Sequence, residues 1–345
     1  MSNTNMKEKV IIVTPHDSFF RDPHVRAFEK FGYECVAFDS RHGFVYNPLF
    51  RKLARRIPIL RHVKKLKVQK INRDLIALAG KYKPKYIFAQ KAETISPQTI
   101  EIIKGLGVVT INFYNDLMGE WPVISKIAPH YDYFFNQDHV VLRRLWDELG
   151  LKNCFYMAHA AEPLHDPFTD RKNKYPVSFI GTYNTELYPN REKYLIAIKD
   201  MGLNVWGTDN WLDTPLKDCF HGRSHGDERF DIYSKSRIVI DINWDAWPAE
   251  GLSNRPFEAT GCGAMFMTDY VRSDIRRAYK ESEEVVLFKD ENELKEKIKY
   301  YLENDNECEK IAWAGFQRTV KDHTYDIRVR QILDTIENPE KYLYK

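Results

Sequence analysis

The stretch from residue 238 to residue 269 constrains the fold of this chain more than any other. Residues 238–242 (IVIDI) are mostly β-branched, which predicts a buried strand. Residues 251–254 (GLSN) predict a loop that leads into a short helix, and residues 264–268 (AMFMT) predict a second strand. Together they form a βαβ unit, whose loop lies at the carboxyl edge of a parallel sheet. Free backbone N–H groups at a helix start make that edge suited to anions.

Predicted strands alternate with predicted helices along the rest of the chain, which indicates doubly wound α/β architecture. A length of 345 residues suggests two domains. The polar segment from Glu162 to Pro176 contains three prolines and is the best candidate linker. We therefore predict a Rossmann-like N-terminal domain over residues 1–165 and a second one over residues 166–325, facing each other across a cleft. Residues 326–345 form a separate terminal helix.

Composition excludes several classes of protein. The net charge of +3 does not demand a polyanion as partner of the whole chain. Five scattered cysteines argue against a disulfide framework and against a paired-cysteine metal site. No leader and no long apolar run is apparent, so a cytoplasmic location is expected. The sequence lacks Asp-x-Asp, His-Glu-x-x-His and Gly-x-Ser-x-Gly, which gives no reason to predict a metal site or a serine hydrolase.

Two carboxylates mark the central stretch. Glu250 and Glu258 are separated by seven residues, one in the loop and one in the first turns of the helix. The helix dipole favours a carboxylate at that place, and a carboxylate can also accept hydrogen bonds from a diol such as a ribose. Surface glutamates on a capped helix are the alternative.

This Glu-x7-Glu spacing, followed by Ala259 and then Gly-Cys-Gly at residues 261–263, resembles the nucleotide-sugar signature of GT-B glycosyltransferases related to family 4. Residues 254–259 (NRPFEA), together with residues 323–325 (HTY) and Arg328, resemble the CgeB-like branch of that superfamily. The resemblance covers the C-terminal half well and the N-terminal half loosely. It implies a GT-B fold, in which the C-terminal helix crosses back to the first domain.

The resemblance also implies a function, the transfer of a sugar from a nucleotide-diphosphate donor to an acceptor hydroxyl. It implies retention of anomeric configuration and no metal, and it suggests a UDP-sugar as the first donor to test, with no further cofactor. The C-terminal domain would hold this donor. Candidate binding residues lie at three loops: Gly181, Thr182 and Arg191 near phosphate, Trp211 under the base, and Ser253, Asn254, Arg255 and Glu258 at the helix, with Glu250 on the sugar.

Three further candidates for catalysis lie in the N-terminal domain. His16 and Asp17 follow the first predicted strand, and Asp116 follows another. If the reaction inverts the anomeric centre, one of them must act as the base. A capping histidine and an ordinary Asn-Asp turn explain the same residues equally well. The first loop also departs from many GT-B enzymes because it is not rich in glycine.

A basic stretch runs from Arg51 to Arg73 without an acidic residue. Apolar residues at helical spacing make it a candidate for contact with an anionic membrane surface or a polyanionic acceptor, and a solvated helix face is the alternative. Its ten cations are Arg51, Lys52, Arg55, Arg56, Arg61, Lys64, Lys65, Lys67, Lys70 and Arg73. Two other hypotheses therefore stay open: a catalytically silent GT-B-shaped binding or coat-assembly protein, and a transferase that acts at a polyanion or at the inner membrane surface.

Overall fold

The structure, a computed structural model, describes residues 7–41, 50, 53–54, 56–169, 173–224, 226–243 and 248–343. The chain divides into two compact α/β units. One contains the residues up to 157 and those from 328 onward, and the other contains residues 158–327. Each unit is built on one parallel sheet, as the alternation of strands and helices predicts.

The first unit has six parallel strands in the spatial order β2-β1-β3-β4-β5-β6. They are β1 (Lys9–Thr14), β2 (Glu34–Asp39), β3 (Tyr86–Gln90), β4 (Val109–Tyr114), β5 (Tyr133–Asn136) and β6 (Cys154–Tyr156). The helices between them are α1 (Arg21–Lys30), α2 (Pro58–Tyr82), α3 (Pro97–Gly105), α4 (Trp121–Ile127) and α5 (His139–Asp147). The central strands β3 and β4 are almost entirely buried because helices cover both faces of such a sheet.

The second unit has five parallel strands in the spatial order β11-β10-β9-β7-β8. They are β7 (Tyr175–Ile180), β8 (Leu203–Trp206), β9 (Ser236–Asp241), β10 (Met265–Asp269) and β11 (Val286–Phe288). Its helices are α6 (Arg191–Ala197), α7 (Glu228–Ser234), α8 (Arg255–Gly261), α9 (Ile275–Ala278), α10 (Glu291–Glu303) and α11 (Asp305–Asp322). The βαβ unit predicted from residues 238–269 is thus β9-α8-β10, with β9 and β10 paired in parallel.

The C-terminal helices α12 (Tyr325–Glu337) and α13 (Pro339–Tyr342) return the chain to the first unit. Gln331 donates from Nε2 to the main-chain oxygen of Tyr156 over 2.7 Å. Tyr133 donates from its hydroxyl to the main-chain oxygen of Ile336 over 3.2 Å. The expected crossing of the terminal helix is confirmed by these contacts.

The two units divide between Met157 and Ala158, upstream of the polar segment in which the sequence places its linker. Main-chain hydrogen bonds explain the difference. Ala161 donates to His323 over 2.9 Å and Leu164 donates to Gly261 over 3.0 Å, so this part of the segment is tied to the second unit. No described helix is both long and apolar enough to cross a membrane.

Candidate functional site

A cleft of about 360 Å³ opens at the carboxyl ends of β7 and β8 in the second unit. The turns that follow these two strands form its floor, and three arginines reach it from different parts of the chain. It is lined by Ile180, Gly181, Thr182, Tyr188, Arg191, Gly207, Thr208, Arg223, Ser224 and Arg255. These lining residues include three cations and no carboxylate, so the cleft suits an anion.

The floor of the cleft depends on two glycines in close contact. A Cβ atom at residue 207 would lie 1.9 Å from the carbonyl oxygen of Gly181, a distance that no side chain tolerates. A Cβ atom at Gly181 would lie 2.6 Å from Cζ of Phe179. Trp211 donates from Nε1 to the same Gly181 oxygen over 2.9 Å. The two turns are therefore packed backbone to backbone, and a ligand could approach their main chain closely.

Arg191 is a buried cation at the cleft wall, only 3% exposed. Its Nη1 donates to the main-chain oxygen of Thr182 over 2.6 Å, and its Nη2 donates to that of Ile242 over 2.8 Å. The guanidinium carbon lies 3.3 Å from the ring centroid of Tyr188. Arg191 thereby ties the turn after β7 to the end of β9.

The charge of Arg191 is poorly compensated by the protein. Burial, and secondarily the nearby charge of Arg255, lowers the pKa of Arg191 to about 10. Within the part of the chain that the structure describes, its Nε is buried without a hydrogen-bond partner. No carboxylate among the described residues forms an ion pair with it. A bound anion would supply the missing partner.

The other two arginines of the cleft each have a carboxylate partner. Arg255 pairs with Asp241, a buried residue at the end of β9. Burial alone would lower the pKa of Arg255, but Asp241 and then Tyr233 outweigh it and raise that pKa. Arg223 pairs with Asp209 over 2.6 Å at the rim, where both side chains are more than half exposed. The charges of Arg223 and Arg255 are therefore balanced by carboxylates, and the charge of Arg191 gives the cleft a net positive charge.

Glu258 lies in a different setting from the one that the sequence suggests. Arg229 donates to its carboxylate twice, from Nε and from Nη2, each over 3.1 Å. Asn254 donates from Nδ2 to Oε1 over 2.5 Å. Glu258 is 3% exposed, so this geometry leaves little of the carboxylate for a ribose. Sequence reasoning missed Arg229, whose pairing bridges 29 positions.

The structure contradicts the interpretation of Trp211 as a stacking platform. Its side chain is fully buried, with ring centroids of Tyr183 and Phe179 at 4.9 Å and 6.0 Å. The polar residues around Trp211 in the sequence predict an exposed side chain. In the structure its ring instead packs in the core beneath the turn at Gly181. Its role in this structure is to support the floor of the cleft.

The remaining candidates of the second unit lie around the start of α8. The hydroxyl of Ser253 accepts a hydrogen bond from the amide of Arg255 over 3.3 Å, which is a cap-like contact. Asn254, in contrast, makes no capping bond, because its side chain turns to Glu258. The half-buried Glu250 accepts a hydrogen bond from the amide of Asp274 through its main-chain oxygen over 3.2 Å.

The three catalytic candidates of the first unit all follow parallel strands at the carboxyl edge of their sheet. His16 and Asp17 are exposed, and the His16 amide donates to Oδ1 of Asp39 over 3.1 Å. Asp116 pairs with Lys91, which also pairs with Glu93 over 3.1 Å. Burial would lower the pKa of Lys91, but Asp116 and Glu93 together raise it. Sequence reasoning missed Lys91.

Four of the residues singled out in the sequence therefore line the cleft, namely Gly181, Thr182, Arg191 and Arg255. The sequence missed Tyr188, Arg223 and Ser224, which lie in irregular segments without periodicity. Thr208 could have been found, since it directly follows Gly207, the first residue after β8. Its hydroxyl accepts a hydrogen bond from the amide of Tyr183 over 3.1 Å.

Comparisons of the sequence and of the structure with known proteins both find glycosyltransferases. A family model described as "Glycosyl transferase-like" matches residues 191–334, which include most of the second unit and part of the terminal helix. None of the curated proteins matches the sequence significantly. Among solved structures, the chain is similar to sucrose-phosphate synthase from Thermosynechococcus elongatus, with a TM-score of 0.66 and 11% identity over 96% of this chain and 99% of that one.

Two further structures show the same likeness. Anabaena HepE in complex with UDP and glucose matches with a TM-score of 0.64 and 10% identity, covering 96% of this chain and 99% of that chain. A glycosyltransferase from Rickettsia africae matches with a TM-score of 0.62 and 10% identity, covering 95% and 97%. The fold is therefore that of the GT-B glycosyltransferases, as the resemblance in the sequence predicts. The narrower CgeB-like assignment stays a prediction.

Proposed function

We propose that this chain transfers a sugar from a nucleoside-diphosphate donor to an acceptor hydroxyl. The observation that carries the proposal is the buried charge of Arg191, which forms no ion pair with a described carboxylate and lies in a cleft with no lining carboxylate. The match of the C-terminal half to a glycosyl transferase-like family and the complex of HepE with UDP and glucose support the class of donor.

The chemistry needs a site for the leaving group. When the bond between the sugar and the diphosphate breaks, negative charge develops on the departing phosphate oxygen. Arg191 and Arg255 are held in place by backbone and carboxylate partners, so they can stabilise this charge without reorganising. The glycine turns at residues 181 and 207 carry no side chain, so the diphosphate can approach their main chain closely.

We propose further contacts to the donor outside the arginines and the glycine turns. The amides of Ser253 and Asn254 complete the diphosphate site, and Glu250 contacts the sugar. UDP-sugars are the donors to test first. The Glu-x7-Glu resemblance favours retention, without a metal or any further cofactor. NMR of the first product tests retention, and an inverted anomer would refute it.

Thermal unfolding with nucleotide diphosphates and their sugars tests the donor site. Ligand at about 100 times its dissociation constant should add about 2.7 kcal/mol to the free energy of unfolding. We expect Arg191→Met to lose this gain, because the variant keeps an apolar stem but removes the charge. Arg318→Met is a control for loss of an arginine elsewhere: Arg318 donates to the main-chain oxygen of Ala278, pairs with Asp322 over 2.9 Å and lies outside the cleft.

A second candidate function is a GT-B-shaped binding protein without catalysis. The enclosed carboxylate of Glu258 favours it, because both oxygens already accept hydrogen bonds. Hydrolysis or transfer of a UDP-sugar that the protein binds would exclude this candidate. Binding of a donor without turnover across a panel of acceptors would favour it. No stabilisation by any nucleotide, in a wild type that unfolds cooperatively, would refute the donor site itself.

A further inference from the structure

The first half of α2 is an exposed helical segment of the first unit. The buried residues of this helix all lie in its second half, namely Ile71, Asn72, Leu75 and Ala79. In the first half, Ile59 is 69% exposed and Leu66 is 49% exposed. Leu53 and Ile57, just before the helix, are 40% and 38% exposed. Large apolar side chains are therefore exposed in a region that the unit does not use for its core.

These apolar residues form a stripe. Ile59, Val63 and Leu66 are spaced by four and three positions, so they lie on one face of the helix. Cations surround the stripe, and no acidic residue occurs between positions 56 and 73. These cations are Arg56, Arg61, Lys64, Lys65, Lys67, Lys70 and Arg73; Arg51, Lys52 and Arg55 lie outside the described residues.

Part of this charge is compensated within the helix, because Lys70 pairs with Asp74 over 2.6 Å. Asp74 lies beyond the exposed apolar stripe, next to the residues that pack into the core. Lys64 and Lys65, in contrast, lie between Val63 and Leu66 in the sequence and on opposite sides of the stripe, where the sequence offers no acid within one helical turn in either direction. The local field at the stripe is therefore cationic.

We propose that this helix binds the surface of an anionic membrane. Its apolar stripe would enter the boundary between headgroups and acyl chains, and its cations would contact lipid phosphates. A nucleic acid or another polyanion would explain the cations but not the exposure of Ile59 and Leu66. The surface lies in the first unit and goes beyond the proposed transfer reaction, on which it does not depend.

Cosedimentation of the full chain with vesicles tests the proposal. We expect binding to vesicles that contain phosphatidylglycerol and little binding to pure phosphatidylcholine. Removing two cations with Lys64→Gln and Lys65→Gln should weaken binding by about 30-fold, because each contributes about 1 kcal/mol near such a surface. Replacing the stripe with Ile59→Asn and Leu66→Asn should weaken it by at least about 10-fold.

The helix α10 provides the control. Lys295 and Lys299 are also exposed helical lysines, and Lys295→Gln with Lys299→Gln removes the same charge from the second unit. This variant should bind vesicles like the wild type. Circular dichroism checks that all variants fold.

Two results would overturn the proposal. One is equal binding to neutral and anionic vesicles, or none to either, by the folded wild type. The other is a stripe variant that binds anionic vesicles as tightly as the wild type, which would make the surface a polyanion site governed by charge alone. Retention of a DNA duplex by that variant in a low-salt gel shift would identify the competing partner.

Discussion

Gly207 and Gly181 touch so closely that a Cβ atom at residue 207 would lie 1.9 Å from the Gly181 carbonyl oxygen. Gly207→Ala must therefore push apart the turns that follow β7 and β8. We expect a loss of about 1–3 kcal/mol in the free energy of unfolding, the usual range for overpacking. We also expect loss of nucleotide-dependent stabilisation, because the floor of the cleft moves. Urea denaturation with and without UDP measures both effects.

Gly80 offers a control for this substitution. It lies within α2, and a Cβ atom there would meet no atom within 4 Å. Gly80→Ala should raise the free energy of unfolding by about 1 kcal/mol, because alanine favours the helix. An equal effect of the two substitutions on UDP binding would contradict the role assigned to the glycine contact.

The pair of Arg229 and Glu258 is a buried ion pair, with side chains 14% and 4% exposed. Arg229→Met alone leaves a buried carboxylate that, among the residues described, keeps Asn254 as its side-chain donor, and should cost about 3–5 kcal/mol. Adding Glu258→Gln removes that stranded charge and should recover much of the loss. A double-mutant cycle in urea measures the coupling. Additive effects would show that the pair contributes nothing beyond its separate parts.

The sequence predicts the architecture well for a physical reason. Strands of parallel sheets are buried on both faces, so β9 and β10 appear as short apolar runs, and the polar loop between them is visible by contrast. The sequence singles out Arg191 in the same way, because it starts the helix that follows β7 and the glycine after it.

The details of the site depend on contacts that have no local signal. Trp211 is enclosed by residues from two other segments, and Glu258 is paired with a residue from another helix. Arg223 reaches the cleft from an irregular segment. Only the packed structure shows that these side chains meet. The sequence therefore does not predict which side chains are buried or which residues they pair with.

The substitution Asp116→Asn tests whether Asp116 has a catalytic role. Retention needs no protein base, so Asp116→Asn should keep turnover within about tenfold of the wild type, since loss of a general base costs about 10²–10⁴-fold. The variant keeps the shape of the side chain beside Lys91, which retains Glu93 as a partner. Initial rates of UDP release measure the effect. A fall of more than about 100-fold, with donor binding unchanged, would instead assign Asp116 as a base.

His24 makes the first unit sensitive to acid. It is 1% exposed and packs against Phe88, with ring centroids 4.8 Å apart. Burial lowers its pKa to about 4, although a hydrogen bond with the main-chain oxygen of Phe20 partly opposes this shift. The unfolded chain binds this proton near pH 6.5, so stability falls as pH drops from about 6.5 toward 4.

Between pH 7 and pH 5 we expect this single group to remove about 2 kcal/mol from the free energy of unfolding. His24→Gln removes the titration, so its stability should change less over that range. Burial raises the pKa of Asp269, in the second unit, to about 6, so this group affects stability in the same pH range with the opposite sign. Comparing variant with wild type cancels its effect. If His24→Gln kept the wild-type slope, another group would have to account for the acid sensitivity.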